Sequence, residues 1–217
     1  MKKGSGKTAN AKRRIRVRPK QPSAKLAGLP GNSVFLVGFM GAGKTSVGRA
    51  LGQRLNWVFE DLDDRLAARE GRTVAEIFRD SGESEFRRAE QVALQQILRE
   101  LRGGGTRVVA LGGGAFVQKA NADLLKASNL PTVFLDAPVE ELWQRCCVQA
   151  SESGAERPLL RSMEQFRELY DARRTGYAKA SLQIQTGNRS VETIVAEIAE
   201  TLGLKKIASR TEQGEVE

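Results

Sequence analysis

The segment GFMGAGKT at residues 38–45 constrains this chain more than any other stretch. It follows SVFLVG, a short apolar run rich in strand formers. It precedes KTSVGRALGQRL, whose apolar residues recur at helical spacing. A strand, a glycine-rich turn and a helix in that order aim backbone N–H groups and the positive end of a helix dipole at one point, which makes an anion site. The eight residues fit G-x-x-x-x-G-K-[ST] at every position. Residues Gly41, Ala42, Gly43, Lys44, Thr45 and Ser46 are therefore expected to hold nucleotide phosphates. The glycines let the backbone wrap, Lys44 reaches the β- and γ-phosphate oxygens, and the Thr45 hydroxyl ligates Mg²⁺. A second run, GSGKT at 4–8, lacks the strand, the helix and the first glycine of the pattern, and reads as a coincidence of composition.

The formal net charge of +9 suggests a nucleic-acid binder until its position is considered. Of 35 Lys and Arg, ten lie within residues 1–32, where there is no acid; residues 33–217 hold 25 basic against 26 acidic residues. A near-neutral body carries no nucleic-acid footprint, so nucleic acid is an expected partner of the tail at most. Residues 1–32 are rich in Lys, Arg, Gly, Pro and Ser, with few large apolar side chains. They are expected to be a disordered, solvated extension. An organelle transit peptide or a nucleic-acid arm would have a similar composition. No apolar run approaches the length that crosses a bilayer. The two cysteines, Cys146 and Cys147, are adjacent on an expected helix, a poor geometry for a disulfide, and a reduced cytoplasmic compartment is the expectation. Histidine is absent. That excludes Ser-His triads and His-ligated metals, and leaves carboxylates as the natural bases.

Beyond the glycine-rich turn, short apolar segments alternate with helical patterns. Strands are expected near 57–60, 106–111, 132–136 and 182–186, with helices between. Thr73 with Glu76, and Ser162 with Gln165, have capping-box spacing, and Ser190 is placed to cap a last helix up to about 204. This alternation predicts an α/β fold: a three-layer α/β/α sandwich around a parallel sheet of about five strands. The expected organisation is an extension at 1–32, one domain at 33–204 with a lid at about 149–161, and a frayed tail at 205–217.

Five further motifs carry chemistry. EDLDD at 60–64 ends the second strand, and strand ends of such sheets face the ligand crevice. Asp61 is placed to hold the Mg²⁺ shell. Asp63 is placed to accept a hydrogen bond, and then the proton, from a hydroxyl attacking the γ-phosphate. Asp64 and Glu60 better suit a plain acidic helix start. In GESEFRRAE, Arg87 and Arg88 stand early in a long helix, against its dipole, so Arg87 is a candidate carboxylate ligand oriented by Glu90. Arg88 reads as a surface ion-pair residue. Gly112, Gly113 and Gly114 in LGGGA suggest a backbone approached closely by ligand. ESGAERPLL reads as a mobile lid, with Arg157 swinging onto the phosphates and Pro158 stiffening it. RRTGY then offers Arg173 for an anionic substrate.

The ordered set GxxGxGKT, D-L-D, E-F-R-R-x-E, G-G-G and R-P-L-L, followed by R-x-x-x-Y, resembles the shikimate kinase family over roughly residues 33–203. The resemblance implies a nucleoside-monophosphate-kinase-like fold and a monomer. It implies transfer of the γ-phosphate of ATP, with Mg²⁺, to the 3-hydroxyl of shikimate. It places Asp63, Arg87, Gly113 and Arg173 at the shikimate site, Arg157 at the ATP-contacting lid, Arg145 and Arg189 near adenine, and Phe78 and Phe86 in the substrate pocket. The segment between Arg145 and Arg157 is longer than the family's usual lid. The rival readings are a gluconate or nucleoside-monophosphate kinase of the same fold, which Arg87, the triple glycine and Arg173 oppose, and a nucleic-acid-binding protein acting through its tail.

Overall fold

The computed structural model describes residues 33–153 and 162–207. Along the chain run β1 (Ser33–Val37), α1 (Lys44–Leu55), β2 (Val58–Asp61), α2 (Leu62–Glu70), α3 (Val74–Arg102) and β3 (Arg107–Ala110). They are followed by α4 (Lys119–Ser128), β4 (Thr132–Asp136), α5 (Val139–Ser153), α6 (Met163–Tyr177), β5 (Leu182–Gln185) and α7 (Val191–Thr201). The five strands form one parallel sheet in the order β2-β3-β1-β4-β5, and helices cover both faces in a three-layer α/β/α sandwich. β1 and β4 are buried at all five positions, as strands sealed on both faces must be. β1 lies between β3 and β4, so the turn after it opens at the middle of the sheet's C-terminal edge, where ligands of open α/β sheets bind.

Local signals set most boundaries. Thr73 and Glu76 form the full reciprocal capping box, while Ser162 and Ser190 each accept from the backbone N–H three residues on. Several boundaries differ from the sequence expectation, β3 (107–110, not 106–111) and β5 (ending at 185, not 186) by a single residue at an end. β2 begins at Val58 rather than Trp57, because Asn56 takes a left-handed conformation and the Trp57 N–H returns to Gly52 O at 2.9 Å, closing α1 before the ladder starts. α7 stops at Thr201 rather than near 204. Gly203 (φ 62°) turns the chain, and the Gly203 and Leu204 N–H groups return to Glu200 and Ala199 carbonyls in a Schellman motif. α3 is broken at Gly82 (φ 77°, ψ 172°), so the helix carrying Arg87 restarts just before it. Both thiols are free, with Cys146 buried on α5. Among the described residues no helix is long and apolar enough to cross a membrane.

Candidate active site

The ends of β1, β2 and β3 surround a cavity of about 370 Å³, closed on its far side by α3 and α6. The turn after β1 is the glycine-rich loop. Gly41 (φ 76°) and Gly43 (φ 87°) are both left-handed, a conformation other residues adopt only with strain. Gly43 is the N-cap of α1 and brings no capping side chain, and the first turn of α1 carries no acid. The positive end of α1 is thus left to an incoming anion. The Lys44 ammonium lies across the loop, donating to the Gly38 carbonyl at 2.9 Å and the Phe39 carbonyl at 3.0 Å.

Beside it the Thr45 hydroxyl donates to Asp61 Oδ2 at 3.2 Å. The other Asp61 oxygen accepts the Asp63 N–H at 3.0 Å, so Asp61 is also the N-cap of α2. The sequence expectation that Asp64 and Glu60 serve the helix start holds for Asp64, which lies in that first turn beside Asp63, and is corrected for Glu60. Glu60 alternates to the other side of β2 and pairs with Arg65 at 2.6 Å and Arg107 at 2.8 Å. Burial raises the Asp61 pKa. Asp63 is pushed up to about 6, first by burial and then by the Asp61 charge, with Lys44 and Arg87 pulling the other way. Thr45 and Asp61 are paired oxygen donors beside the phosphate loop. That suits Mg²⁺, which takes one or two protein oxygens and completes its shell with water and phosphate. Among the described residues no cluster of three His, Cys, Asp or Glu forms a closed metal cage.

The loop after β3 meets the second half of the cavity. A Cβ on Gly112 would stand 2.6 Å from Asp63 Oδ1, and one on Gly114 would stand 2.7 Å from an Arg87 guanidinium nitrogen. Two of the three glycines therefore make room for the protein's own functional side chains. Gly113, between them, has no such neighbour; its carbonyl accepts from the Tyr177 hydroxyl and from Arg173 at 3.4 Å. Burial pushes the Tyr177 hydroxyl up to about 12, which keeps it a donor at neutral pH.

Arg87 is braced from three directions. Glu90 accepts at 3.0 Å and Glu83 at 3.3 Å, and the Phe86 and Phe78 rings lie 4.9 and 5.9 Å from the guanidinium carbon. Phe78 and Phe86 pack on each other at 4.2 Å between centroids and line the cavity. Glu90 is 1% exposed, its second oxygen has no hydrogen-bond partner among the described residues, and burial pushes it up to about 7 against the pull of Arg87. Arg88 points outward to Glu85 at 2.6 Å.

The cavity thus gathers Gly41, Gly43, Lys44, Thr45, Ser46, Asp61, Asp63, Phe78, Phe86, Arg87, Glu90, Gly112, Gly113, Gly114 and Arg173. Ala42 lies beneath the loop, 1% exposed. Arg145 and Arg189 do not line the cavity. Arg145 holds the Gly41 carbonyl at 3.3 Å, the Thr186 carbonyl at 2.9 Å and Glu141 at 2.5 Å; Arg189 holds the Gln185 carbonyl at 2.8 Å and Glu197 at 2.5 Å. Arg157 and Pro158 lie outside the described residues. Met40 and Gln149 line the cavity with no sequence signal to mark them, whereas Tyr177 stood in the RRTGY motif without a role.

One anion-binding turn, two carboxylates at the seam, and two arginines on the opposite wall suit transfer of a phosphoryl group to a small hydroxylated acid. The family model described as Shikimate kinase matches residues 40–203. A shikimate kinase of Geobacter sulfurreducens is 42% identical over 172 residues, covering 78% of this chain and 90% of the relative. One of Persephonella marina is 36% identical over 167 residues, covering 76% and 96%. Among solved structures, shikimate kinase from Acinetobacter baumannii in complex with shikimate matches with a TM-score of 0.69 and 32% identity, over 79% of this chain and 93% of that one. That from Aquifex aeolicus matches with a TM-score of 0.67 and 32% identity, over 79% and 96%.

Proposed function

The chain belongs to the shikimate kinase family and phosphorylates shikimate with ATP, and we propose that transfer is in line, onto the 3-hydroxyl, from the seam between the two halves of the cavity. The observation that carries this reading is the approach of Asp63 and Arg87 to the same glycine loop, at Gly112 and Gly114, within one cavity that also holds Lys44.

The nucleotide phosphates lie over the N-terminus of α1, where Lys44 leaves the Gly38 and Phe39 carbonyls for the β- and γ-phosphate oxygens. Arg87 and Arg173 grip the shikimate carboxylate from two sides; a planar guanidinium matches a carboxylate with paired hydrogen bonds. That grip turns the ring's hydroxyls towards Asp63. The 3-hydroxyl oxygen forms a bond to the γ-phosphorus as the bond from that phosphorus to the β-bridging oxygen breaks. The hydroxyl proton passes to the Asp63 carboxylate, and ADP leaves. Thr45 and Asp61 would hold Mg²⁺, which would supply charge neutralisation for the phosphates. Arg157, outside the described residues, is proposed to add positive charge beside the phosphates as transfer proceeds. Arg145 and Arg189 converge on the C-terminal end of β5, at the Thr186 and Gln185 carbonyls, and form the adenine side. The protein acts as a cytoplasmic monomer, and the basic extension takes no part in turnover.

Coupled ADP release with ATP and Mg²⁺ tests the reading, with shikimate, gluconate and a panel of nucleoside monophosphates as acceptors. Turnover with shikimate alone is expected. Silence with shikimate beside turnover of another acceptor would remove Arg87, Arg173 and Asp63 from their roles while leaving the phosphate loop in place.

A further inference from the structure

Phe39 lies inside the phosphate loop, yet its side chain does not serve the phosphates. It is 1% exposed and turned towards α6. The Phe166 ring meets it edge-on at 4.9 Å and the Tyr170 ring edge-on at 5.6 Å. The Arg173 guanidinium carbon stands 5.9 Å from its centroid. Residues 166, 170 and 173 follow one another along a single face of α6, so one ring seats that face and ends beneath the arginine. The seat is anchored on its far side. The Tyr170 hydroxyl donates at 2.7 Å to Asp136, a carboxylate 2% exposed at the end of β4, which also takes Arg174 at 3.3 Å. Asp136 thereby fixes the angle at which the Tyr170 ring meets Phe39.

From this arrangement we propose that Phe39 is a positioning residue for acceptor binding: a phosphate-loop side chain that holds Arg173 at the height and tilt needed to meet the substrate carboxylate. A cation over an aromatic face is attracted to the ring quadrupole. Among the described residues the hydrogen bonds of Arg173 all lie on the loop side, to the Gly113 carbonyl at a long 3.4 Å and to the Tyr177 hydroxyl, so the Phe39 ring is its support from α6 and the phosphate loop. The inference rests on the reading of Arg173 as a shikimate ligand. It assigns to the loop a second task, directed at the acceptor rather than the donor.

The test is the kinetics of Phe39→Leu, Arg173→Lys and their combination in the full chain, by coupled ADP release, with Phe39→Met as a second variant should Phe39→Leu fold poorly. Loss of the ring is expected to raise the shikimate KM about fivefold to tenfold, the scale of a partly buried cation–π contact, while the ATP KM stays as in the parent. The double variant is expected to bind shikimate no worse than Arg173→Lys alone, because Arg173→Lys already removes the planar guanidinium whose height and tilt the ring sets. Multiplying effects, an unchanged shikimate KM in the Phe39 variant, or an ATP KM that rises in step would overturn the assignment. An unchanged shikimate KM in Arg173→Lys would instead overturn the acceptor-site reading, and the Phe39 assignment with it.

Discussion

Replacing Gly114 with alanine is expected to disable shikimate binding while leaving the fold and the ATP site intact. Gly114 does not sit in the left-handed region, so alanine brings no backbone strain there. Its new methyl group would meet two Arg87 nitrogens at 2.7 and 2.8 Å and the guanidinium carbon at 3.0 Å. Ordinary contact begins near 3.4 Å, so the guanidinium must retreat by roughly 0.7 Å. Its retreat breaks into contacts that hold it, the Glu90 carboxylate at 3.0 Å and the Phe86 ring at 4.9 Å from its carbon. The guanidinium must swing away, and the paired hydrogen bonds to the substrate carboxylate lose their geometry. Hydrogen bonds to charged groups contribute about 1.5–3 kcal/mol each, so losing the alignment of one raises the shikimate KM roughly tenfold to hundredfold. Alanine for glycine at an unstrained position adds about 0.4–1 kcal/mol of stability, which offsets part of the loosened Arg87–Glu90 pair, so the melting midpoint should stay within about 4 °C of the parent. Coupled ADP release at saturating ATP gives the shikimate KM, and a melting curve with and without ATP gives the rest. An unchanged shikimate KM would refute the steric argument. A parallel rise in the ATP KM would mean that the loop, rather than Arg87, had moved.

The neighbouring change separates binding from chemistry. Gly112→Ala places a methyl group 2.6 Å from Asp63 Oδ1, and is expected to lower kcat about tenfold to hundredfold with a smaller effect on the shikimate KM, as the same assay would read. Asp63→Asn keeps the shape but cannot take the proton; turnover should collapse while ATP binding, followed by calorimetry, persists. Glu90 sets a pH dependence of stability. Its native pKa is raised from 4.5 to about 7, so the native state binds the proton more tightly than the unfolded chain, and the Glu90 contribution is complete below 4.5 and lost as pH rises towards 7. Glu90→Gln should flatten that fall in melting curves taken across the window. Deleting residues 1–31 should leave turnover and melting midpoint unchanged; a large loss in either would mean that the extension docks on the domain.

What the sequence disclosed follows the range of the interactions involved. The phosphate loop, the Thr73 capping box and the Ser190 cap are contacts within a few residues, and each was legible in the order of letters. The triple glycine was legible as a demand for space, but its beneficiary was not. The space is taken by Asp63 and Arg87, which approach only after β2, β3 and α3 have assembled. Tyr177 reaches the Gly113 carbonyl across 64 residues, and no spacing rule announces such a bond. The exchange of roles between Glu60 and Asp61 has the same origin. In EDLDD any of four carboxylates can cap a helix, and the choice is made by the face of β2 on which each one falls, which is set when Asp61 pairs with Ala110 in the sheet.

That choice also explains how a chain without histidine divides two tasks between two aspartates. Asp61 is the last residue of its strand and the cap of the next helix, so both its oxygens are committed: one to the Asp63 N–H, the other towards Thr45 and the donor phosphates. Asp63, two residues on in the first helical turn, lines the same cavity and lies against Gly112. Residues two apart at a helix start do not share a face, so the carboxylate proposed to hold the metal and the one proposed to take the proton lie at different points of one cavity, close enough for the Asp61 charge to act on Asp63. The cap ties them together, because the hydrogen bond that fixes Asp61 is donated by the backbone of Asp63. Moving either would disturb the other, and a strand end running directly into a helix, with no intervening loop, leaves neither of them much freedom to move.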